Sequence, residues 1–326
     1  MIPTSTIVTR SLLALALVVG VAAITYSSLA MTGNFGEWGP PINAETIPGT
    51  SSEFNTPFND GCPIQSPDGL SFYIASNRPG TLGGQDIWVS RRESTDDPWG
   101  PFENVGAPVN SSANDFCPSP TRGHRFYFVS ERAGGCGGAD IYVTRLTHKG
   151  WDEPLNLGCS INSTAGEASP SYFEDDDGEG ILYFSSNRAA GFAPDAGAPD
   201  SDIYYSVNFG PASLVPGLNT DSDDSRPNVR HDGREVVFDS NRPGTLGGAD
   251  IWTATRPTNF DDWSIPIHLA APINSSVNET RASLSWDGRQ MVFGSNRVGS
   301  EPAPNNGPSS TDVYITTREK LKGGSN

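Results

Sequence analysis

With 326 residues and a formal charge of −17, the chain lacks the clustered Lys and Arg that nucleic acid or an anionic membrane surface demands. Gly (36) and Pro (27) are abundant and no long amphipathic helical pattern appears, which excludes a helical bundle and points to an all-β chain with many turns. Acidity of this kind reads first as surface solubility.

The first 30 residues have the form of an export signal. Arg10 is the lone positive charge, Leu12–Ile24 is apolar, and Ser28-Leu29-Ala30 is a small-x-small site for cleavage after Ala30. The apolar run is about 13 residues, short of the ~20 that span a bilayer. A retained anchor is the alternative. Residues 31–318 are expected to form one domain, and 319–326 a polar tail.

The domain is a repeat. Ser76–Trp88 reads SNRPGTLGGQDIW and Ser240–Trp252 reads SNRPGTLGGADIW, with looser copies between and beyond. Arg78, Arg132, Arg188, Arg242 and Arg297 mark the five units at intervals of about 55 residues. In chain order, strands are predicted at 71–75 and 86–90, 125–129 and 140–144, 181–185 and 202–206, 235–239 and 250–254, and 290–294 and 312–316. Asp-Gly pairs at 68–69, 232–233 and 287–288 are hairpin turns in which both residues are expected at positive φ. A strand after an acidic residue and another near a Trp complete each unit. Four-stranded units in series stack radially, so the fold class is all-β, a five-bladed β-propeller. The stretch Trp38–Ile42 is expected to complete the fifth blade and close the ring, removing two exposed sheet edges.

These residues, S-P-D-G, then S-N-R-P-G-x-x-G-G-x-D-I-W/Y, then Trp with a following Pro, resemble the TolB-type WD-like β-propeller repeat over about residues 35–318. The resemblance implies an exported scaffold that binds protein, peptide or sugar. It carries over the fold and names no particular partner.

Several sets of residues are candidates for chemistry. The frame arginines are matched by Asp86, Asp140, Asp202, Asp250 and Asp312, and the two read as a buried ion pair tying the loop between their strands. Trp88, Tyr142, Tyr204, Trp252 and Tyr314 are expected between blades. Asp60, Asp115, Glu167, Asp224 and Glu279 each follow an Asn-Ser/Thr by five residues and open the strand nearest the axis, so they are expected to converge at the channel mouth. Carboxylates placed there suit a ligand face, a cation such as Ca²⁺, or acid/base work on a glycoside. The competing reading is that each accepts backbone N–H groups.

Two residues further on the frame diverges, to Cys62, Cys117, Ser169, Arg226 and Arg281. Arg226 and Arg281 are candidates to hold an anionic ligand, or to neutralise Asp224 and Glu279. Cys62–Cys117 with Cys136–Cys159 is one of the three pairings that four cysteines allow. An even cysteine count fits an oxidising compartment, and no zinc-binding pattern is present. The four histidines lie outside the shared frame. Long loops, Gly191–Ser201 and Gly299–Thr311, are expected on the acidic face.

The reading is an exported, monomeric, non-catalytic propeller that binds a protein, peptide or carbohydrate on its acidic long-loop face. No cofactor is required, with Ca²⁺ as an option. The alternative is a glycan-acting enzyme using axial carboxylates. The scaffold is preferred because such enzymes place acids asymmetrically, whereas here every unit carries one. A cation-stabilised structural module is a third reading.

Overall fold

The computed structural model describes residues 35–189, 191–192, 200–300 and 310–321, so the predicted signal peptide and most of both long loops lie outside the described residues. The described residues form five antiparallel sheets. From the axis outward, blade 1 runs Asp60–Gln65, Ser71–Ser76, Asp86–Arg91 and Glu103–Asn104. Blade 2 runs Asp115–Pro120, Arg125–Ser130, Asp140–Thr147 and Leu155–Asn156, with Gly150–Trp151 folding back on the third strand. Blade 3 runs Glu167–Glu174, Gly180–Ser186, Asp202–Val207 and Ser213–Leu214. Blade 4 runs Asp224–Val229, Glu235–Ser240, Asp250–Thr255 and Ile267–His268. Blade 5 runs Glu279–Leu284, Gln290–Ser295, Asp312–Thr317 and, from the other end of the chain, Ile42–Asn43. Each innermost strand packs on the next, and that of blade 5 returns to that of blade 1. The ring is closed as the repeat predicts.

Closure is covalently remote but hydrogen-bonded. Ile42 and Asn43 pair with Ile315 and Tyr314, slightly later than the expected Trp38–Ile42. Upstream, the N–H groups of Gly36 and Gly39 reach the carbonyls of Glu319 at 2.9 Å and Thr317 at 2.8 Å. The Asp-Gly turns differ from expectation: only the glycines take positive φ, 71°, 69° and 69° at Gly69, Gly233 and Gly288. The longer Ser-x-Asp-Gly loop, closed by Gly69 N–H to Ser66 O at 2.8 Å, needs just one left-handed residue.

The apolar core is divided among the blade interfaces. Phe173, Tyr183, Phe238 and Trp263 join blades 3 and 4, while Phe72, Trp88, Val292 and Ile315 join blades 1 and 5. Second strands are buried on both faces, so Ile74, Phe128, Phe184, Phe238 and Phe293, at one frame position, are all fully buried. Each such side chain is worth about 1.5–3 kcal/mol of transfer free energy. The Trp and Tyr of the D-I-W/Y words lie at these interfaces, as expected.

The polar frame explains the repeated words, with one correction. The frame arginines pair with the carboxylates that open the inner strands, not with the Asp of D-I-W/Y. Nitrogen–oxygen distances are 2.5 Å for Arg78–Asp60, 2.8 Å for Arg132–Asp115, and 3.1 Å for both Arg188–Glu167 and Arg297–Glu279; Arg242–Asp224 completes the set. Each guanidinium also lies over an aromatic ring, as Arg188 does at 4.5 Å over Tyr204. It donates to a carbonyl of the segment entering its blade, such as Ile161 O. Asp86, Asp140, Asp202 and Asp250 instead accept backbone N–H groups of the Gly-rich loop, such as Leu82 N–H at 2.7 Å. The carboxylate five residues past Asn-Ser/Thr is simply nearer to the arginine once the first two strands pair.

The Asn of Asn-Ser/Thr binds one blade to the next. Asn110, Asn162, Asn219 and Asn274 bridge the N–H and C=O of Ile87, Ile141, Ile203 and Ile251 in the preceding blade. Asn55 does so for Val313 of blade 5, accepting its N–H at 2.9 Å, and thereby helps seal the ring.

Asn55→Ala leaves buried backbone groups of Val313 unsatisfied and should cost about 1–3 kcal/mol in urea unfolding, whereas Arg91→Ala, which breaks an exposed pair with Glu103, should stay within about 0.5 kcal/mol. Arg132→Met strands the buried Asp115 carboxylate and should cost about 3–5 kcal/mol, part of which Asp115→Leu in the same chain restores.

Candidate functional site

The five carboxylates singled out from sequence, Asp60, Asp115, Glu167, Asp224 and Glu279, do open the innermost strands, but none is free to meet a ligand. All are at most 1% exposed. One oxygen of each binds its frame arginine, and the other accepts the N–H of Thr56, Ser111, Ser163, Thr220 or Ser275. The expected acidic rim is therefore taken up inside the blades. A cation or a sugar would have to break these couples to reach the oxygens. Among the described residues no group of three or more His, Cys, Asp or Glu is arranged to hold a metal ion.

The divergent position is where the blades differ in kind. Cys62, Cys117, Ser169, Arg226 and Arg281 all take positive φ, between 47° and 57°. Each sits at a register shift between the first and second strands. A β-bulge re-aims the side chain it carries, and here it turns all five toward the axis, where they line one narrow constriction. Cys62 and Cys117 are disulfide-bonded there, and Ser169 Oγ donates to Cys117 Sγ at 3.3 Å. Cys136–Cys159 is the second disulfide. The two arginines fill the other side.

Those arginines form the floor of a polar cavity of about 660 Å³, bounded by blades 3, 4 and 5. Its walls are hydroxyls and amides, among them Ser185, Thr280, Asn241, Asn278 and Asn296. Ser201 and Thr311, at the ends of the two long loops, lie at its edge. Two carboxylates face it, Asp239 and Asp223. Asp239 is buried; it binds the Arg226 guanidinium through one oxygen and accepts the Arg281 backbone N–H at 2.9 Å through the other. Asp223 is exposed at the rim and accepts the Ser201 N–H at 3.0 Å. Neither arginine neutralises Asp224 or Glu279, whose charges Arg242 and Arg297 already meet.

Arg281 is held differently from every frame arginine. Its side chain reaches toward Gly61 of blade 1, where an added Cβ would lie 3.1 Å from Nη1. Its Nε is buried and has no hydrogen-bond partner. Burial, reinforced by the neighbouring Arg226 charge and opposed by Asp239, pulls its pKa down to about 10.

Sequence reading missed Asp239. It occupies the frame position held by Ala75, Val129, Ser185 and Gly294 in the other blades, so the same test that exposed Arg226 and Arg281, one departure within a repeated word, would have found it. His268 was also misplaced. It belongs to the frame, standing where Asn104 and Asn156 do and meeting Asp250 at 2.6 Å. At the opposite mouth, Trp286 stacks on His231 at 4.3 Å and carries Arg122 at 4.1 Å, so side chains of three blades meet at that end.

No protein-family model matches this sequence, and no curated protein sequence does. Solved structures match the fold. An α-L-arabinofuranosidase from Lactobacillus brevis is 14% identical, with 82% of this chain and 94% of that one covered at a TM-score of 0.53. The catalytic domain of a GH62 α-L-arabinofuranosidase from Coprinopsis cinerea is 11% identical, covering 88% and 98% at 0.52. A putative TolB from Agrobacterium tumefaciens is 17% identical, covering 83% and 80% at 0.46. At such identities the likeness establishes the five-bladed ring. It also corrects the preference for a non-catalytic scaffold, since solved structures that share this ring include glycoside hydrolases. One acid in every unit does not mark a scaffold, because those acids are the structural ion pairs of the blades.

Proposed function

We propose that this chain is a glycan-acting enzyme of the glycoside hydrolase kind, working as an exported monomer on a carbohydrate bound in the axial cavity of blades 3 to 5. The observation that carries it is the asymmetry of that cavity: Asp239 and Asp223 line it, whereas none of the repeated acids that open the inner strands does. Glycoside cleavage passes through a transition state with positive charge on the sugar ring and uses a pair of carboxylates. Asp239, fixed by Arg226 and the Arg281 N–H, offers a pre-aimed negative charge for that state, and such fixed charges act strongly away from water. Asp223, at the rim beside Asn241, is the second carboxylate, placed toward the departing sugar or the attacking water. The hydroxyl and amide walls suit a polyhydroxylated substrate. The two disulfides support export, since such bonds persist in oxidising compartments. No helix among the described residues is long and apolar enough to cross a membrane.

The test is release of reducing ends from a panel of soluble polysaccharides. Asp239→Asn, which keeps an acceptor for the Arg281 N–H, should lower turnover by about 10²–10⁴-fold when assayed well below the melting temperature of the variant. Asp68→Asn, at the opposite mouth, should leave turnover unchanged. Absence of release from every glycan in the panel, by a folded chain, would sink the reading.

A further inference from the structure

We propose that the floor of the axial cavity is a carboxylate-binding subsite, in which Arg281, assisted by Arg226, takes the carboxylate of an acidic sugar, a hexuronate unit. The sugar rests on the reading given above; the anion site rests on the floor itself.

Charge and hydrogen bonding both point to it. The floor holds two guanidiniums and one carboxylate, and both Asp239 oxygens are committed, to Arg226 and to the Arg281 backbone. The Arg281 guanidinium is thus left without a counter-ion of its own, in a chain whose overall charge is −17. The frame arginines show how this fold treats a buried guanidinium: each receives a carboxylate, a hydroxyl and a carbonyl. Arg281 receives none of these at its buried Nε. A half-buried cation with no partner at its buried Nε is costly, so the position lowers stability unless an anion completes it.

The geometry selects the anion. A guanidinium presents a planar fork that matches a carboxylate with two parallel hydrogen bonds. The floor carries one net positive charge, which a monoanion cancels and a sulfate or phosphate dianion overshoots. Gly61 leaves the space that the guanidinium needs, and the bulge at Arg281, with φ 57°, aims its side chain at the axis rather than into the blade. Above the floor, Ser185, Thr280 and Asn241 supply partners for sugar hydroxyls.

Calorimetric titration of the full chain with oligogalacturonate, its methyl ester, neutral xylo-oligosaccharide and sulfate distinguishes the sources. The acid oligomer should bind at least about 10-fold tighter than its ester, because the ester keeps the sugar and loses the charge. Arg281→Met should abolish that difference and raise the melting temperature of the unliganded chain by about 2–4 °C, as a half-buried, unpaired charge is removed. Arg281→Lys should recover the charge but not the fork, and so fall between. Equal binding of acid and ester, unchanged acid binding by Arg281→Met, or binding of sulfate alone overturns the proposal. Binding of the acid without turnover of any glycan would overturn the enzymatic reading and leave this one standing. Turnover of a glycan together with acid binding unchanged by Arg281→Met would do the reverse.

Discussion

The couple between each frame arginine and the carboxylate opening its inner strand holds the ring together. Three segments meet in it: the first strand of the blade, the Ser-Asn-Arg corner after the second, and the connection arriving from the previous blade. The ions are desolvated and lie beneath aromatic rings, where attraction between charges is far stronger than in water. Removal of one member leaves the other buried and unpaired, so the two must occur together. That requirement explains why the words around Arg78, Arg132, Arg188, Arg242 and Arg297 repeat while the turns between them drift.

Because the repeated charges are used to hold the blades, individuality is confined to positions where a blade departs from the frame. One frame position, bulged toward the axis in all five blades, carries a disulfide on one side, a serine beside it, and two arginines on the other. The disulfide closes the axis near blades 1 and 2, where Phe116 stands at the position that Gly61 and Ala168 leave small. The arginines and Asp239 open a polar cavity against blades 3, 4 and 5. A fold with near five-fold symmetry thereby acquires a polarised pocket, and at the opposite mouth side chains of three blades meet on Trp286.

The left-handed conformation at Arg226 and Arg281 belongs to the same logic. Residues other than glycine pay for positive φ in strain, and such strain concentrates at functional sites. Here the bulge is common to all blades, so the fold sustains the strain as part of its register. What varies is the side chain that the bulge presents. Function is then exchanged by substitution at the tip of a fixed backbone feature, without disturbing the ladders on either side.

Much of this was legible in the order of residues. A period of about 55, with Asp-Gly turns and four short strands per unit, determined the number of blades, the strand order and the closure by the N-terminal segment, because these depend on local pattern and chain connectivity. Equivalent placement of Cys62 and Cys117 likewise made their bond readable. Which charges meet was decided only in three dimensions. Asp86 and Asp60 are both acids close in sequence to Arg78, and pairing of the first two strands brings Asp60 to the guanidinium while the Gly-rich loop turns its N–H groups onto Asp86. The same holds at the site, where Asp239 and Arg281 stand 42 residues apart and meet because neighbouring blades converge on one axis. Sequence spacing narrows the contacts within a blade and strand pairing chooses among them, but contacts between blades depend on the ring's radius and tilt, which no single repeat encodes.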